Sequence, residues 1–165
     1  MDSLKLVKNL IQTKLTPTKQ NLKVGRILMY QYNAKDSTQR YDFTPFTIVL
    51  GVSKSYMLGI NLHWCPIKMR LSLINWIFKR NKQNIKNNKP LNISYEDLRG
   101  ILRSKAYRPI IRCYIIKRMS KRSVLIPYEH MEQIAKTKSE TFVGTSENTL
   151  YKLARLKKWN QALKI

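Results

Sequence analysis

The chain has 165 residues, 43% of them hydrophobic, and its 32 Lys and Arg against 9 Asp and Glu give a net charge of +23. Solubility needs only about 2–8 net charges in a small domain, so this surplus points to a polyanionic partner, nucleic acid ahead of an acidic protein or an anionic membrane. The 3 Trp, 9 Tyr and 4 Phe exclude a disordered basic tail, no run approaches a membrane span of roughly 18 apolar residues, and two cysteines are too few for a secreted disulfide framework.

In chain order, Leu4, Leu6, Val7, Leu10, Ile11 and Leu15 recur at helical spacing after a Ser3 N-cap, with lysines between them. This amphipathic helix is expected either to pack on the protein's own core or to serve as an assembly handle. Thr16 to Asn21 is polar and contains Pro17, which predicts a linker. Residues 1–22 are therefore expected to be a helix and linker, and 23–165 a single basic domain with a helical C-terminal tail.

From Val24 the pattern changes to β-branched and aromatic runs. Ile27 to Tyr32, Phe46 to Leu50 and Tyr56 to Trp64 predict three strands, the last two joined by a connection of hairpin length. Pro66 then opens a helix whose apolar side is Ile67, Leu71, Ile74, Ile77 and Phe78. Asn81 to Pro90 reads as an exposed loop carrying Lys82, Lys86 and Lys89. Ser94 to Asp97 resembles a capping box, which gives Glu96 and Asp97 a structural role at a helix start.

Pro109 to Met119 is assigned to a helix, although Ile110-Ile111 and Ile115-Ile116 suit a strand nearly as well. Tyr107 and Tyr114 are expected to be packing rings. Val124 to Ile126 predicts a short strand, Tyr128 to Lys136 a short helix, and Ser146 the cap of a last helix holding Leu150, Leu153, Ala154 and Leu156. The fold class expected is α+β: a small antiparallel sheet, or an SH3-like β-barrel, flanked by basic helices.

Most enzymatic chemistries lack their residues. The five glycines are isolated, so no phosphate-cradling loop exists, and neither a nucleophile elbow nor an H-E-x-x-H helix is present. His63, Cys65, Cys113 and His130 lack the paired spacing of a zinc site, and Asp36, Asp42, Glu129 and Glu132 are too scattered for a metal-dependent nuclease. His63 reads as a hydrogen-bonded structural residue, and both cysteines as reduced and buried. The expectation is a binder without catalytic residues, metal or cofactor.

Gly25, Tyr30, Tyr32, Ala34-Lys35, Tyr41-Asp42, Pro45 and the run Leu58-Gly59-Ile60-Asn61-Leu62-His63-Trp64-Cys65-Pro66 with Arg70 form a further pattern. With Ser94-Tyr95, Tyr107, Pro109, Tyr114, Pro127 and Glu129, it resembles small basic proteins of T-even-like tailed bacteriophages labelled DNA end protectors. The likeness spans roughly residues 24–130, and its most specific part is the Asn-Leu-His-aromatic segment. Trp64 and Cys65 stand where that pattern has Tyr and Leu, and Phe43 to Phe46 spaces its Phe and Pro differently. The resemblance implies a phage protein of the virion or host cytoplasm, bound to the packaged genome or its end. The alternative is a virion structural protein of the neck, tail or baseplate whose basic face meets acidic neighbours.

The charge is concentrated: residues 68–122 hold 16 Lys or Arg and two acids. Arg70, Lys79, Arg80, Arg99, Arg103, Arg108, Arg112, Lys117, Arg118, Lys121 and Arg122 are the expected phosphate contacts. Other virion proteins are the partners expected for Leu4, Leu6, Val7, Leu10 and Ile11; no membrane partner is expected.

Overall fold

The computed structural model of the chain describes residues 7, 9, 14–34, 41–104, 107–137, 142–146 and 148–149. The fold is α+β, built on an antiparallel sheet. Its strands are β1 (Thr16–Pro17), β2 (Ile27–Tyr32), β4 (Phe46–Val52), β5 (Tyr56–Asn61), β6 (Ile111–Ile115) and β7 (Met119–Leu125). They run in the order β1-β7-β2-β4-β5-β6, and β3 (Tyr41–Asp42) pairs separately with β8 (Phe142–Val143). The large sheet is open, with β1 and β6 at its edges, so the barrel alternative is not realised.

Strand alternation sends side chains to two cores. Ile27, Met29, Phe46, Ile48 and Ile60 face a large core completed by helix α2 (Ile67–Arg80), helix α5 (Met131–Ala135) and the segment carrying Leu91, Ile93 and Leu98. Leu28, Tyr30, Val49, Met57 and Tyr114 face a smaller core on the other side, joined by Tyr32 and Met119. Its rings meet edge to face, Tyr114 with Tyr32 at 4.9 Å and with Tyr30 at 5.6 Å. The Tyr114 and Tyr107 packing expected from sequence is present: Tyr107 lies against the large core and its hydroxyl donates to the Met69 carbonyl at 3.4 Å.

Helix α2 follows Pro66, and Asn81 closes it with a backbone bond to the Phe78 carbonyl. Its buried stripe is Arg70, Leu73, Ile74 and Ile77, with Leu71 and Phe78 half-buried beside it. The expected loop after α2 contains a short helix α3 (Lys82–Lys86), while Lys82, Lys86 and Lys89 are exposed as anticipated. Ser94 caps helix α4 (Tyr95–Leu98) with the reciprocal capping box formed through Asp97. The Asp97 carboxyl is held below the ordinary carboxylate value by hydrogen bonds from Ser94, with Arg80 adding to the effect.

Two glycines are fixed by geometry. Gly25 has φ +81° and exchanges backbone bonds with Val49 and Leu91, and a Cβ there would lie 2.0 Å from the Leu91 carbonyl oxygen. A Cβ at Gly59 would lie 2.3 Å from the Thr47 methyl across the β4–β5 pair.

Several expectations change. Residues 111–115 form β6, paired with β5 from Tyr56↔Ile115 to Ile60↔Ile111, rather than a helix; Pro109 lies in a single 3₁₀ turn before it. The β-branched residues decided the element, since they pack well on a half-buried pleated surface. Tyr56 to Asn61 is strand, but Leu62 to Trp64 continues as a 3₁₀ turn. Thr16 to Asn21 is not a free linker: it forms β1 and helix α1 (Thr18–Asn21), tied to β7 by Thr18 Oγ1 donating to the Ser120 carbonyl at 2.7 Å and Asn21 Nδ2 to Ser123 Oγ at 2.9 Å. Val7 is helical and only 1% exposed in the large core, which removes it from a partner-facing handle. Leu4, Leu6, Leu10 and Ile11 lie outside the described residues, as does the C-terminal segment from Leu150. Ser146 Oγ does accept the Thr149 amide at 3.2 Å, the bond of an N-cap. Cys65 is buried as expected, its thiol pushed up to about 12 by desolvation, but Cys113 is exposed on β6.

Candidate nucleic-acid interface

The eleven cations expected to contact phosphate do not share one environment. Arg70 is internal. It is fully buried on α2, its Nε donating to the Cys65 carbonyl at 2.9 Å and its Nη1 to the carbonyls of Ala135 and Thr137 at 3.3 and 3.0 Å. Three directed bonds to α5 and the turn before α2 make it a tie inside the core, and no phosphate reaches it there. Arg112, on β6, is half-buried with its guanidinium 4.3 Å from the Trp64 ring centroid. Burial pulls its pKa down, although an arginine stays charged at neutral pH.

A second set lies around α2 and α4. Arg80 bonds Asp97 at 3.3 Å and stacks over Trp76 at 5.0 Å, Arg99 bonds Glu96 at 3.5 Å, and Arg108 Nε donates to the Leu102 carbonyl at 3.3 Å. Lys79 and Arg103 are exposed nearby. The exposed ion pairs are individually weak, so these cations are dispersed over a surface that also carries acids.

The third set converges. Lys117, Arg118 and Lys121 line a groove of about 780 Å³ together with Lys19, Lys54, Ser55 and Tyr56, and among the described residues none that lines it is acidic. Its walls come from three places. Helix α1, held on β7 by Thr18, presents Lys19. The β4–β5 hairpin tip presents Lys54, and Ser53 fixes the tip by accepting the Tyr56 amide at 3.1 Å while its own amide donates to the Tyr56 carbonyl at 2.8 Å. The 3₁₀ turn Ile116–Arg118 crosses between β6 and β7 and presents Lys117 and Arg118. Two backbone bonds lock that turn: Ile116 N–H to the Ser55 carbonyl at 2.9 Å and Asn33 N–H to the Arg118 carbonyl at 3.2 Å.

Lys121 reaches the groove because β7 bulges. Tyr30 pairs with Ser123 and Tyr32 with Met119, so one residue of β2 faces three of β7. The Gln31 amide, displaced from the ladder, donates to Ser120 Oγ at 3.1 Å, and Ser120 Oγ donates on to the Arg122 carbonyl at 2.7 Å. The bulge thereby exposes Lys121 and Arg122. Arg122 lies opposite Pro17 of β1 and is not among the groove residues. A fourth group, unanticipated from sequence, is Lys14, Lys23 and Arg26 around a second hollow with Gln20 and Asn21.

Five cations with no acid among them sum to a positive potential focused by low-dielectric walls. Lys19 and Lys54 were missed as site residues because each is a single basic residue in a turn; their proximity to Lys117 exists only after the sheet forms. The available signal was local: Pro17-Thr18-Lys19 and Ser53-Lys54-Ser55 are turn-forming segments beside strands, where side chains project.

The Asn-Leu-His-aromatic segment is not at this surface. Asn61 and His63 are buried around Asp42: its Oδ2 accepts from His63 Nδ1 at 2.7 Å and Asn61 Nδ2 at 2.9 Å, and its Oδ1 from the Thr44 amide at 3.0 Å. Asn61 Nδ2 also reaches the Tyr114 hydroxyl at 2.9 Å, and burial raises the tyrosine's pKa. The segment joins β3, β5 and β6 through a buried polar network, matching the structural role expected of His63. Among the described residues no group of three or more His, Cys, Asp or Glu is placed to hold a metal ion, and no helix is long and apolar enough to cross a membrane.

A family model described as phage T4 terminal DNA protecting protein matches residues 2–152. No curated protein and no solved structure matches the chain.

Proposed function

For a chain that belongs to the phage T4 terminal DNA protecting protein family, we propose a non-enzymatic DNA-binding role at the end of the packaged phage genome, in the virion or the host cytoplasm, with the groove of Lys19, Lys54, Lys117, Arg118 and Lys121 as the principal contact. The observation that carries the reading is the convergence of these five cations, with no acid among the described lining residues, on a chain of net charge +23. Phosphates neutralised there release counterions, and this supplies affinity independent of base sequence. Arg122 extends the surface along the β7 bulge, and Lys79, Arg80, Arg99, Arg103 and Arg108 add a weaker, dispersed field. The virion structural alternative has no observation in its favour.

Combined Lys117→Ala, Arg118→Ala and Lys121→Ala substitutions test this directly. If all three contact phosphate, the slope of log affinity against log salt flattens by about 2.7, from roughly 0.9 per lost contact, with weaker binding to every sequence. An unchanged slope and affinity in a folded triple variant overturns the groove assignment.

A further inference from the structure

We propose that the groove seats a single DNA strand rather than intact duplex, with Tyr56 as the stacking platform for one of its bases; this rests on the reading that the groove is the DNA contact. Tyr56 is 52% exposed and lines the groove. By contrast, Tyr30, Tyr32 and Tyr114 are buried in the smaller core, and Tyr41 packs against it. An exposed ring beside a cationic wall combines the two elements that hold a single strand: phosphate attraction and a sequence-tolerant stacking face.

A concave cationic site suits a flexible strand better than a rigid duplex. Proteins read duplex by projecting a helix or a β-ribbon into a groove roughly 12 Å wide. Here the cations line a concavity of about 780 Å³, within the size range of pockets that enclose small flexible ligands. A single strand can lay its backbone along Lys117, Arg118 and Lys121 while a base turns onto Tyr56. The backbone that carries Tyr56 is ordered before binding. Tyr56 begins β5 opposite Ile115, and Ser53 bonds both its amide and its carbonyl, so little backbone freedom is lost on association. Preference for ends then has a physical source, because single-stranded tails and frayed termini occur at ends and not in closed circles.

The experiment is fluorescence anisotropy of the full chain with three labelled probes: a thymidine oligonucleotide, a blunt duplex and the same duplex with a single-stranded tail. Wild type, Tyr56→Phe and Tyr56→Ala are compared, with thermal melts confirming that the variants fold. Tailed duplex is expected to bind about five-fold or more tighter than blunt duplex, a preference retained in Tyr56→Phe and lost in Tyr56→Ala. Equal affinity for blunt and tailed duplex, or an unaltered tail preference in Tyr56→Ala, overturns it and leaves the DNA-binding reading intact. Failure of wild type to bind any of the three probes overturns that reading as well.

Discussion

The guanidinium of Arg70 has the charge of Arg118 and a different task. Buried and bonded to the carbonyls of Cys65, Ala135 and Thr137, it holds α2 against α5 from inside. Arg70→Met strips those acceptors of this donor in a dry environment and is expected to cost about 3 kcal/mol or more in urea unfolding. A DNA salt slope equal to wild type in the surviving folded fraction distinguishes this from loss of a phosphate contact. The two cysteines differ as sharply. Cys65 is buried with a thiol pushed up to about 12, so it resists alkylation, whereas Cys113 is exposed on β6. One thiol per chain is expected to react with a thiol reagent in the native state and two in urea, and Cys113→Ser should abolish the native reaction. Labelling of both native thiols at similar rates would contradict the burial of Cys65.

At the scale of elements, the capping box of α4 and the turn at Gly25 are the most testable. Ser94→Ala removes the N-cap acceptor and the hydroxyl that donates to Asp97, while the residue 94 amide still donates to that carboxylate, an expected loss of about 1 kcal/mol. Because the Asp97 carboxyl is held below its unfolded value, this stabilisation is fully present above the unfolded carboxylate range near about 3.9 and fades as pH falls through the lower folded value. The difference between wild type and Asp97→Asn in urea unfolding should therefore shrink on acidification; a constant difference would contradict the pair. Gly25→Ala sets a Cβ against the Leu91 carbonyl at φ +81° and is expected to cost more than about 1 kcal/mol by thermal melting.

Much at this scale was legible in sequence. The strands β2, β4 and β5, the helix after Pro66 and the Ser94 cap follow from local propensity and patterning. The failures have physical causes. Pro109 resembled a helix start, but β-branched Ile111 and Ile115 pair with β5, a long-range contact that no local window contains. The buried stripe of α2 includes Arg70, a charge tolerated only because distant carbonyls satisfy it. Thr16 to Asn21 resembled a linker because its polar residues, Thr18 and Asn21, find their partners on β7.

For the whole molecule, the magnitude of the charge was readable at once and its distribution was not. The cations are dense in residues 68–122, yet the cationic groove draws Lys19 and Lys54 from outside that segment and leaves Arg70 in the core. Folding selects among like charges through the β7 bulge and the crossing turn at Ile116–Arg118. The most specific motif, by contrast, builds the interior: Asn61 and His63 around Asp42 support the sheet whose hairpin carries Lys54. Motif and interface are therefore separate parts, one fixing the scaffold and the other meeting the polyanion.

Binding at a DNA end through the cationic groove is measurable as affinity for linear and covalently closed circular DNA of the same sequence across a salt series, with exonuclease protection of the linear form. Tighter binding to the linear form, protection of its ends, and loss of both when Lys117, Arg118 and Lys121 are replaced by Ala are the expected results. Equal affinity for linear and circular DNA with no protection of ends would contradict it.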